Sequence, residues 1–245
     1  PRGADAILMV EYTQPEADGI SVLRSVVPGE GISFAGSDIG SDEIILRKGE
    51  RLSSRETGTI AAIGMSSVWV WKRPRVAVIS TGDELIRPGD SMEIGKVYDS
   101  NSEVVSHALE EIGCVPVRFD IVPDDEQMLI DILNQAIQFD FIILSGGTSK
   151  GAGDLNYHAV EKIGNPGIIV HGVALKPGKP LCLASLQGTP TAILPGFPTS
   201  ALFTFTKFVA PVLLEMSGHP PQESFAVQAT VPLRINSPKG RTEFS

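Results

Sequence analysis

The amino-acid sequence predicts an α/β fold in which a parallel or mostly parallel sheet carries helices on both faces, beside remnants of a β domain and a linking element. Two short apolar runs, 75–80 and 141–144, are typical of central strands that are buried on both faces. Apolar residues recur with a helical period in the segments between and after them. Strands that alternate with helices form parallel sheets, and ligands bind beyond the carboxyl ends of such strands.

Capping and turn residues divide the predicted α/β domain into its elements. Ser100 and Glu103 form a capping box that opens the first helix, and Gly113 suits its carboxyl end. Carboxylates at Asp124 and Asp125 favour the start of the second helix. The predicted order is strand 75–80, helix 100–112, strand 115–121, helix 124–137, strand 141–144, helix 155–163, strands 168–170 and 191–194, and helix 199–216.

The segments around this domain are shorter and less regular. Residues 7–11 and 19–23 are β-like runs, 53–63 is amphipathic, and 67–72 is a predicted strand in which Trp69 and Trp71 are packing residues. We predict a partial β domain at 1–28, a linking element at 29–73, the α/β domain at 74–218 and the start of a truncated β domain at 219–245. Because no initiator Met is present and the last strand has no room to pair, we expect a chain cut at both ends.

The composition favours a soluble cytoplasmic protein. Lys and Arg total 20 against 29 Asp and Glu, and the net charge of −9 opposes binding to nucleic acid or an anionic membrane. We expect no segment that approaches the roughly 20 apolar residues of a membrane span. Cys114 and Cys182 are far apart and lack zinc-type spacing, so neither a disulfide framework nor a structural zinc site is expected.

Four loops that follow predicted strands carry the candidate chemistry. The Gly-Gly loop 145–151 offers free backbone amides beside a helix amino terminus, which suits a phosphate, although a plain turn is the alternative. Lys176 and Lys179 flank a rigid Pro-Gly turn, which suits an anion such as phosphate or molybdate unless both are solvated surface lysines. The other two loops are 81–84 and 195–200.

Carboxylates lie on the same predicted edge of the sheet. Glu84, Asp99, Asp124 and Asp154 each follow a strand or begin a helix. Each could be a helix cap or a solvated side chain. Together, beside a phosphate, they favour a Mg²⁺ site in which one or two carboxylates bind directly.

Six stretches, taken together, carry a family resemblance. They are PRGADAILMVE at 1–11, PRVAVISTGDEL at 74–85, YDSN at 98–101, SGGTSKGAGD at 145–154, KPGKP at 176–180 and PGFPTSA at 195–201. In this order the chain resembles the molybdopterin molybdotransferase family of molybdenum cofactor biosynthesis, which includes the carboxyl-terminal domain of gephyrin. The resemblance implies a molybdopterin-binding α/β domain, an elongated homodimer, Mg²⁺ dependence, and transfer of molybdate to the dithiolene of adenylated molybdopterin with release of AMP.

The resemblance also implies roles for individual residues. Those implied as catalytic are Glu84, Asp124, Asp154, Lys176 and Lys179. Those implied to bind the pterin or molybdate are Thr81, Gly82, Asp99, Ser145, Gly146, Gly147, Thr148, Ser149, Pro195, Gly196, Ser200 and Arg241. Those implied for Mg²⁺ are Glu84, Asp99 and Asp154.

Two alternative functions stay open at this point. A molybdopterin adenylyltransferase shares the α/β domain and the Gly-Gly loop, but residues 1–73 and the Lys-Pro-Gly-Lys-Pro turn favour the molybdotransferase. A gephyrin-like scaffold that binds peptides needs only a groove, whereas the retained carboxylates and lysines favour chemistry.

Overall fold

The computed structural model of the chain describes residues 2–146 and 152–219, together with 227–228, 230, 240 and 242–243. Side chains are described for these residues except 152–154. The chain divides into two compact units, Pro1–Ser67 and Val68–Ser245. The predicted boundaries, which give four domains rather than two units, stay a prediction.

The first unit contains a β-hairpin and one helix. Its antiparallel strands are β1, Thr13–Glu16, and β2, Gly19–Val22, and its helix is α1, Ser54–Ala62. The predicted strand at 7–11 is wrong, because the two-residue turn after Glu16 pairs β2 with the segment that starts at Thr13. Residues Val10–Tyr12 form a 3₁₀ turn instead. The predicted amphipathic helix is confirmed and begins at a capping box of Ser53 and Glu56.

The second unit is built on a six-stranded sheet with spatial order β6-β3-β7-β11-β10-β8. Short pairs β4–β5 and β9–β12 flank it. The strands are β3 Arg75–Thr81, β4 Leu85–Ile86, β5 Val97–Tyr98, β6 Val115–Arg118, β7 Phe141–Gly146, β8 Gly167–His171, β9 Leu175–Lys176, β10 Cys182–Leu186, β11 Thr189–Leu194 and β12 Thr242–Glu243.

Four neighbouring strands of the large sheet, β6, β3, β7 and β11, are parallel. Strand β10 is antiparallel to both β11 and β8, so β8 runs in the same direction as the parallel set. The prediction of a mostly parallel sheet is confirmed. The carboxyl ends of five strands consequently meet at one edge.

Helices cover both faces of this sheet, as predicted. They are α2 Ser100–Glu111, α3 Glu126–Ala136, α4 Ala152–Ile163, α5 Pro198–Thr204 and α6 Ala210–Met216. Side chains alternate along β3: Val76 and Val78 pack with α2 and α5, whereas Ala77 and Ile79 pack with α3 and α4. All four are at most 1% exposed, which is why the sequence run of β3 is continuously apolar.

Helices α5 and α6 join through a π-helical segment, Phe205–Val209, into one helix. Pro211 has no backbone N–H for the helical ladder, and a wide turn before it accommodates that loss. By length and composition, Pro198–Met216 could cross a membrane, so the expectation of no such segment is wrong. Its residues Ala201, Phe205 and Leu213 are buried in the core.

The segment before β3 differs from its prediction. No strand forms at 67–72 in the structure, and Trp69 is fully exposed rather than packed. Backbone pairing begins later, where the Val115 N–H donates to the Pro74 carbonyl at 2.8 Å. The alternation of Val and Trp at 68–71 has the pattern of a strand. No strand forms there, because no neighbouring strand pairs with this segment.

Candidate functional site

Four loops meet at the carboxyl edge of the large sheet. Thr81 at the end of β3 lies opposite Gly146 at the end of β7, and Ser145 lies opposite Leu194 of β11. The loop after β8 returns to the sheet at Cys182, which pairs with both His171 and Ile193. The predicted loops at 81–84, 145–151, 176–180 and 195–200 therefore start from one edge, as expected for a ligand site in this fold.

The loop after β3 is fixed by its neighbours. The Gly82 N–H donates to the Val122 carbonyl at 3.0 Å, and the Asp124 N–H donates to Asp83 Oδ1 at 3.1 Å. Glu84, which is partly buried, folds back over Gly82, since a Cβ on that glycine would lie 2.5 Å from Glu84 Oε2. This arrangement holds Glu84 and Asp124 at one corner of the edge.

The end of β7 sits tightly against β3. Gly146 approaches Thr81 so closely that a Cβ there would lie 2.1 Å from Thr81 Oγ1. The Thr81 hydroxyl in turn exchanges hydrogen bonds with the side-chain amide of Asn156 on α4, at 3.0 and 3.1 Å. The predicted residues Gly147, Thr148, Ser149 and Arg241, and the side chain of Asp154, lie outside the described residues.

The Lys-Pro-Gly-Lys-Pro turn packs on the helix that follows β11. A Cβ on Gly178, which has a φ of +111°, would lie 2.3 Å from Thr204 Cγ2, so the turn approaches α5 as only glycine permits. Lys176 forms an ion pair with Glu243 of β12, with 2.7 Å between Nζ and Oε1. Lys179 is exposed. The predicted pair of lysines is therefore electrostatically unequal.

The loop after β11 is tied to the end of β7. Asn101 of α2 donates from Nδ2 to Ser145 Oγ and to the Gly196 carbonyl, both at 2.9 Å. Pro195 is buried, and Ser200 lies in the first turn of α5, where its carbonyl accepts from the Thr204 hydroxyl at 2.8 Å. The structure thus brings the described site residues of all four loops to one edge.

Asp99, rather than the predicted Ser100, caps α2, and Asp125 of the predicted Asp124-Asp125 pair caps α3. Asp99 Oδ1 accepts from the Ser102 N–H at 3.1 Å, and Asp125 Oδ1 accepts from the Met128 N–H at 2.8 Å. The predicted capping box at Ser100 does not form, because Ser100 is already the first helical residue, and Glu103 pairs with Arg118. Asp99 is 5% exposed, so its carboxylate is held where the helix starts.

Two substitutions of Asp99 distinguish the stabilisation that comes from capping α2 from the effect of its negative charge. We expect Asp99→Ala to lower the free energy of unfolding by about 1 kcal/mol, whereas Asp99→Asn, which caps equally well, should leave it unchanged. Urea denaturation measures both, and Asp125→Ala, which removes the equivalent cap of α3, should match Asp99→Ala. An equal loss in Asp99→Asn would show that the negative charge, not the cap, stabilises the helix.

Sequence and structure comparisons agree with this architecture. Residues 77–215 match the family described as "Probable molybdopterin binding domain", which is more than half of the chain. The chain belongs to this molybdopterin-binding family. Residues 1–64 match the "MoeA N-terminal region (domain I and II)". The resemblance predicted from the six sequence stretches is confirmed.

The similarity to curated relatives extends over the full length of this chain. "Molybdopterin molybdenumtransferase 2" of Mycobacterium tuberculosis is 34% identical over 249 residues, which is 100% of this chain and 62% of the relative. "Molybdopterin molybdenumtransferase" of Haemophilus influenzae is 32% identical over 251 residues, 100% of this chain and 61% of the relative. The chain therefore spans about 62% of the length of such relatives.

A solved structure supports the fold. The "molybdopterin biosynthesis moea protein" of Pyrococcus horikoshii superposes with a TM-score of 0.71 at 35% sequence identity, over 89% of this chain and 54% of that chain. The α/β prediction with a mostly parallel sheet is confirmed by this likeness and by the strand pairing.

A cleft of about 310 Å³ in the molybdopterin-binding domain lies beside Asp99. Its two arginines each pair with a carboxylate: Arg87 with Asp120 at 2.5 Å and Arg118 with Glu103. Asp99 then leaves a negative charge on the wall.

Metal ligands and nucleophiles are sparse in the described part of the family domain. It holds no group of three or more His, Cys, Asp or Glu side chains close enough to bind one metal ion. A Mg²⁺ ion beside a phosphate needs only one or two carboxylates, so Glu84 or Asp99 remains compatible with it. Burial raises the pKa of the Cys114 and Cys182 thiols to about 11, so neither is a thiolate nucleophile near neutral pH.

Three site-supporting residues were missed by sequence reasoning: Asn101, Asn156 and Thr204. Each joins segments that are far apart in the chain or packs a loop against a helix. Asn101 falls within the YDSN stretch that contributes to the resemblance, so a signal existed there. For Asn156 and Thr204, a helical position gives no sequence signal of a contact with a loop.

Proposed function

We propose that the protein acts in molybdenum cofactor biosynthesis as a molybdopterin molybdotransferase, which inserts molybdate into the dithiolene of adenylated molybdopterin and releases AMP. The observation that carries the proposal is the meeting of four loops at one sheet edge in a chain of the molybdopterin-binding family. Relatives named as molybdenumtransferases support it. The match of residues 1–64 to the MoeA N-terminal region favours this function over a free-standing adenylyltransferase.

We assign each site residue to a part of the ligand by its charge and its capacity to donate hydrogen bonds. Backbone amides of 145–149, which precede α4 in the sequence, bind the pterin phosphate in this proposal. Lys179 attracts molybdate or phosphate as an exposed cation, and Lys176 contributes less because Glu243 already compensates its charge. Arg241 lies next to β12 in sequence and contacts molybdate in this proposal.

Mg²⁺ is proposed as the metal, held directly by one or two of the carboxylates Glu84, Asp99 and Asp154, with phosphate oxygens and water completing its shell. When bound, the ion would neutralise phosphate charge during release of AMP. Support comes from the Glu84 carboxylate over Gly82 and the buried Asp99 carboxylate. Because Asp99 Oδ1 already accepts a backbone hydrogen bond, its metal contact would use the other oxygen.

A homodimer and a cytoplasmic location are part of the same proposal. The net charge of −9 is consistent with a protein that binds neither nucleic acid nor anionic membrane. Light scattering after size-exclusion chromatography measures the oligomeric state, and a monomeric mass at micromolar concentration would contradict the dimer.

The decisive experiment measures AMP released from adenylated molybdopterin by the chain with and without molybdate and Mg²⁺. We expect release that requires both, and sulfate in place of molybdate should give none. Formation of adenylated molybdopterin from molybdopterin and ATP would instead identify an adenylyltransferase. Neither reaction, with adenylated molybdopterin still bound, would identify a binding protein without this activity.

Ser149→Asp tests the proposed phosphate loop. A carboxylate there should repel the pterin phosphate and lower the calorimetric affinity for molybdopterin by about 10-fold or more. Ser149→Asn has a similar size without charge and should bind almost as well as the unaltered chain. Equal affinities of the two variants would make the loop a turn that does not contact phosphate.

A further inference from the structure

Asn101 connects three segments of the site through one side chain. It is the second residue of α2 and is 8% exposed. Its Nδ2 lies 2.9 Å from Ser145 Oγ and 2.9 Å from the Gly196 carbonyl oxygen. An amide nitrogen carries two hydrogens and cannot accept, so both hydrogens are used in these two bonds.

The Gly196 carbonyl fixes the orientation of this amide. Were the amide turned over, Asn101 Oδ1 would face that carbonyl and place two acceptors 2.9 Å apart. The nitrogen therefore faces Gly196, and Ser145 Oγ must accept from it. A serine hydroxyl that accepts in this way retains its own hydrogen for a different partner.

That hydrogen is available to a ligand. Within the described part of the chain, no group accepts it. Ser145 is 2% exposed and stands at the end of β7, where the proposed phosphate loop begins. Asn101 Oδ1 is also buried and has no partner among the described residues. Buried polar groups are normally satisfied. The hydroxyls of Ser80 and Ser106 are also buried without a partner, so the open groups of Asn101 and Ser145 point to a ligand through their position at the end of β7 rather than through openness alone.

We propose that Asn101 is a positioning residue, which holds the Ser145 hydroxyl so that its hydrogen points at the phosphate of a bound pterin. The inference rests on the proposed function, because it takes the phosphate site after β7 as given. Asn101 does not touch the phosphate and acts through Ser145. Its second hydrogen bond, to the Gly196 carbonyl, holds the loop after β11 next to Ser145.

A double-mutant cycle tests the inference. Asn101→Leu has a similar volume and no donor, and Ser145→Ala removes the hydroxyl. A hydrogen bond to a charged group contributes roughly 10-fold in affinity, so each single variant should bind molybdopterin about 10-fold more weakly in calorimetry. The double variant should bind no more weakly than Ser145→Ala alone. A loss of about 100-fold, the product of the two, would show independent action and overturn the proposal.

Controls separate positioning from packing. Ser106→Ala alters another buried hydroxyl of α2 and should leave the affinity unchanged; a 10-fold loss there would attribute the effect to helix packing. If Asn101→Leu does not fold, Asn101→Ala, which removes the amide without adding a charge, replaces it, and the expected coupling to Ser145 is again about 10-fold. A Ser145→Ala variant that binds normally would overturn both this inference and the proposed phosphate site. Normal binding by Asn101→Leu alone would overturn only the positioning role.

Discussion

Gly146→Ala is expected to destabilise the α/β unit by about 3 kcal/mol or more, which is at the upper end of the usual cost of overpacking a core. The new Cβ would lie 2.1 Å from Thr81 Oγ1 and 2.5 Å from the Thr81 carbonyl oxygen. Relief would require β3 and β7 to separate at their carboxyl ends, although both are central strands. The midpoint of urea unfolding measures the loss.

Gly196→Ala is the matched control for this change. The nearest atom to a Cβ there is the Gly146 carbonyl oxygen at 3.6 Å, an ordinary contact distance. We expect a change in the free energy of unfolding below about 1 kcal/mol. If Gly146→Ala were as stable as this control, the register that places Gly146 opposite Thr81 would be wrong.

The sheet could be predicted from sequence, because strands that are buried on both faces contain continuous runs of apolar residues. Strands β3 and β7 each contain an uninterrupted apolar run, at 76–79 and 141–144, and the helices between them keep a 3.6-residue period. Strand β10 was missed, although the Gln187-Gly188 turn between it and β11, with φ of +50° and +93°, carries a hairpin signal.

The errors in the first unit and in the connecting segment have a different cause. A strand needs a partner, and an alternating or apolar run does not reveal whether one is available. The Trp69 segment has the pattern of a strand but no strand forms there. At 7–11 the run was apolar, yet the turn after Glu16 selected the next segment for pairing.

The location of the site could be predicted, but its internal contacts could not. Parallel strands bring their carboxyl ends together whatever the loop sequences are, so four loops could be assigned to one edge. The bond between Asn101 and Ser145 joins residues 44 positions apart, and the ion pair between Lys176 and Glu243 joins residues 67 positions apart. Such contacts depend on tertiary placement, which periodicity does not encode.

That ion pair leads to unequal effects of the two lysines. Lys179→Ala should lower molybdate-dependent AMP release by about 10²-fold, as the loss of one stabilising contact to an anion typically does. Lys176→Ala should lower it much less, because Glu243 already neutralises Lys176 across a 2.7 Å contact. Both lysines are exposed, so neither variant should change the free energy of unfolding by more than about 0.5 kcal/mol.

Glu243→Gln completes this comparison by releasing Lys176. The amide keeps the size of the side chain but not its charge, so Lys176 becomes a second uncompensated cation and molybdate should bind more tightly. The gain should disappear in the Lys176→Ala background, and it should shrink as ionic strength rises because salt screens an exposed charge. Calorimetric titration with molybdate measures the affinity of each variant. An unchanged affinity in Glu243→Gln, or equal losses of AMP release in Lys176→Ala and Lys179→Ala, would show that the ion pair does not restrain the site.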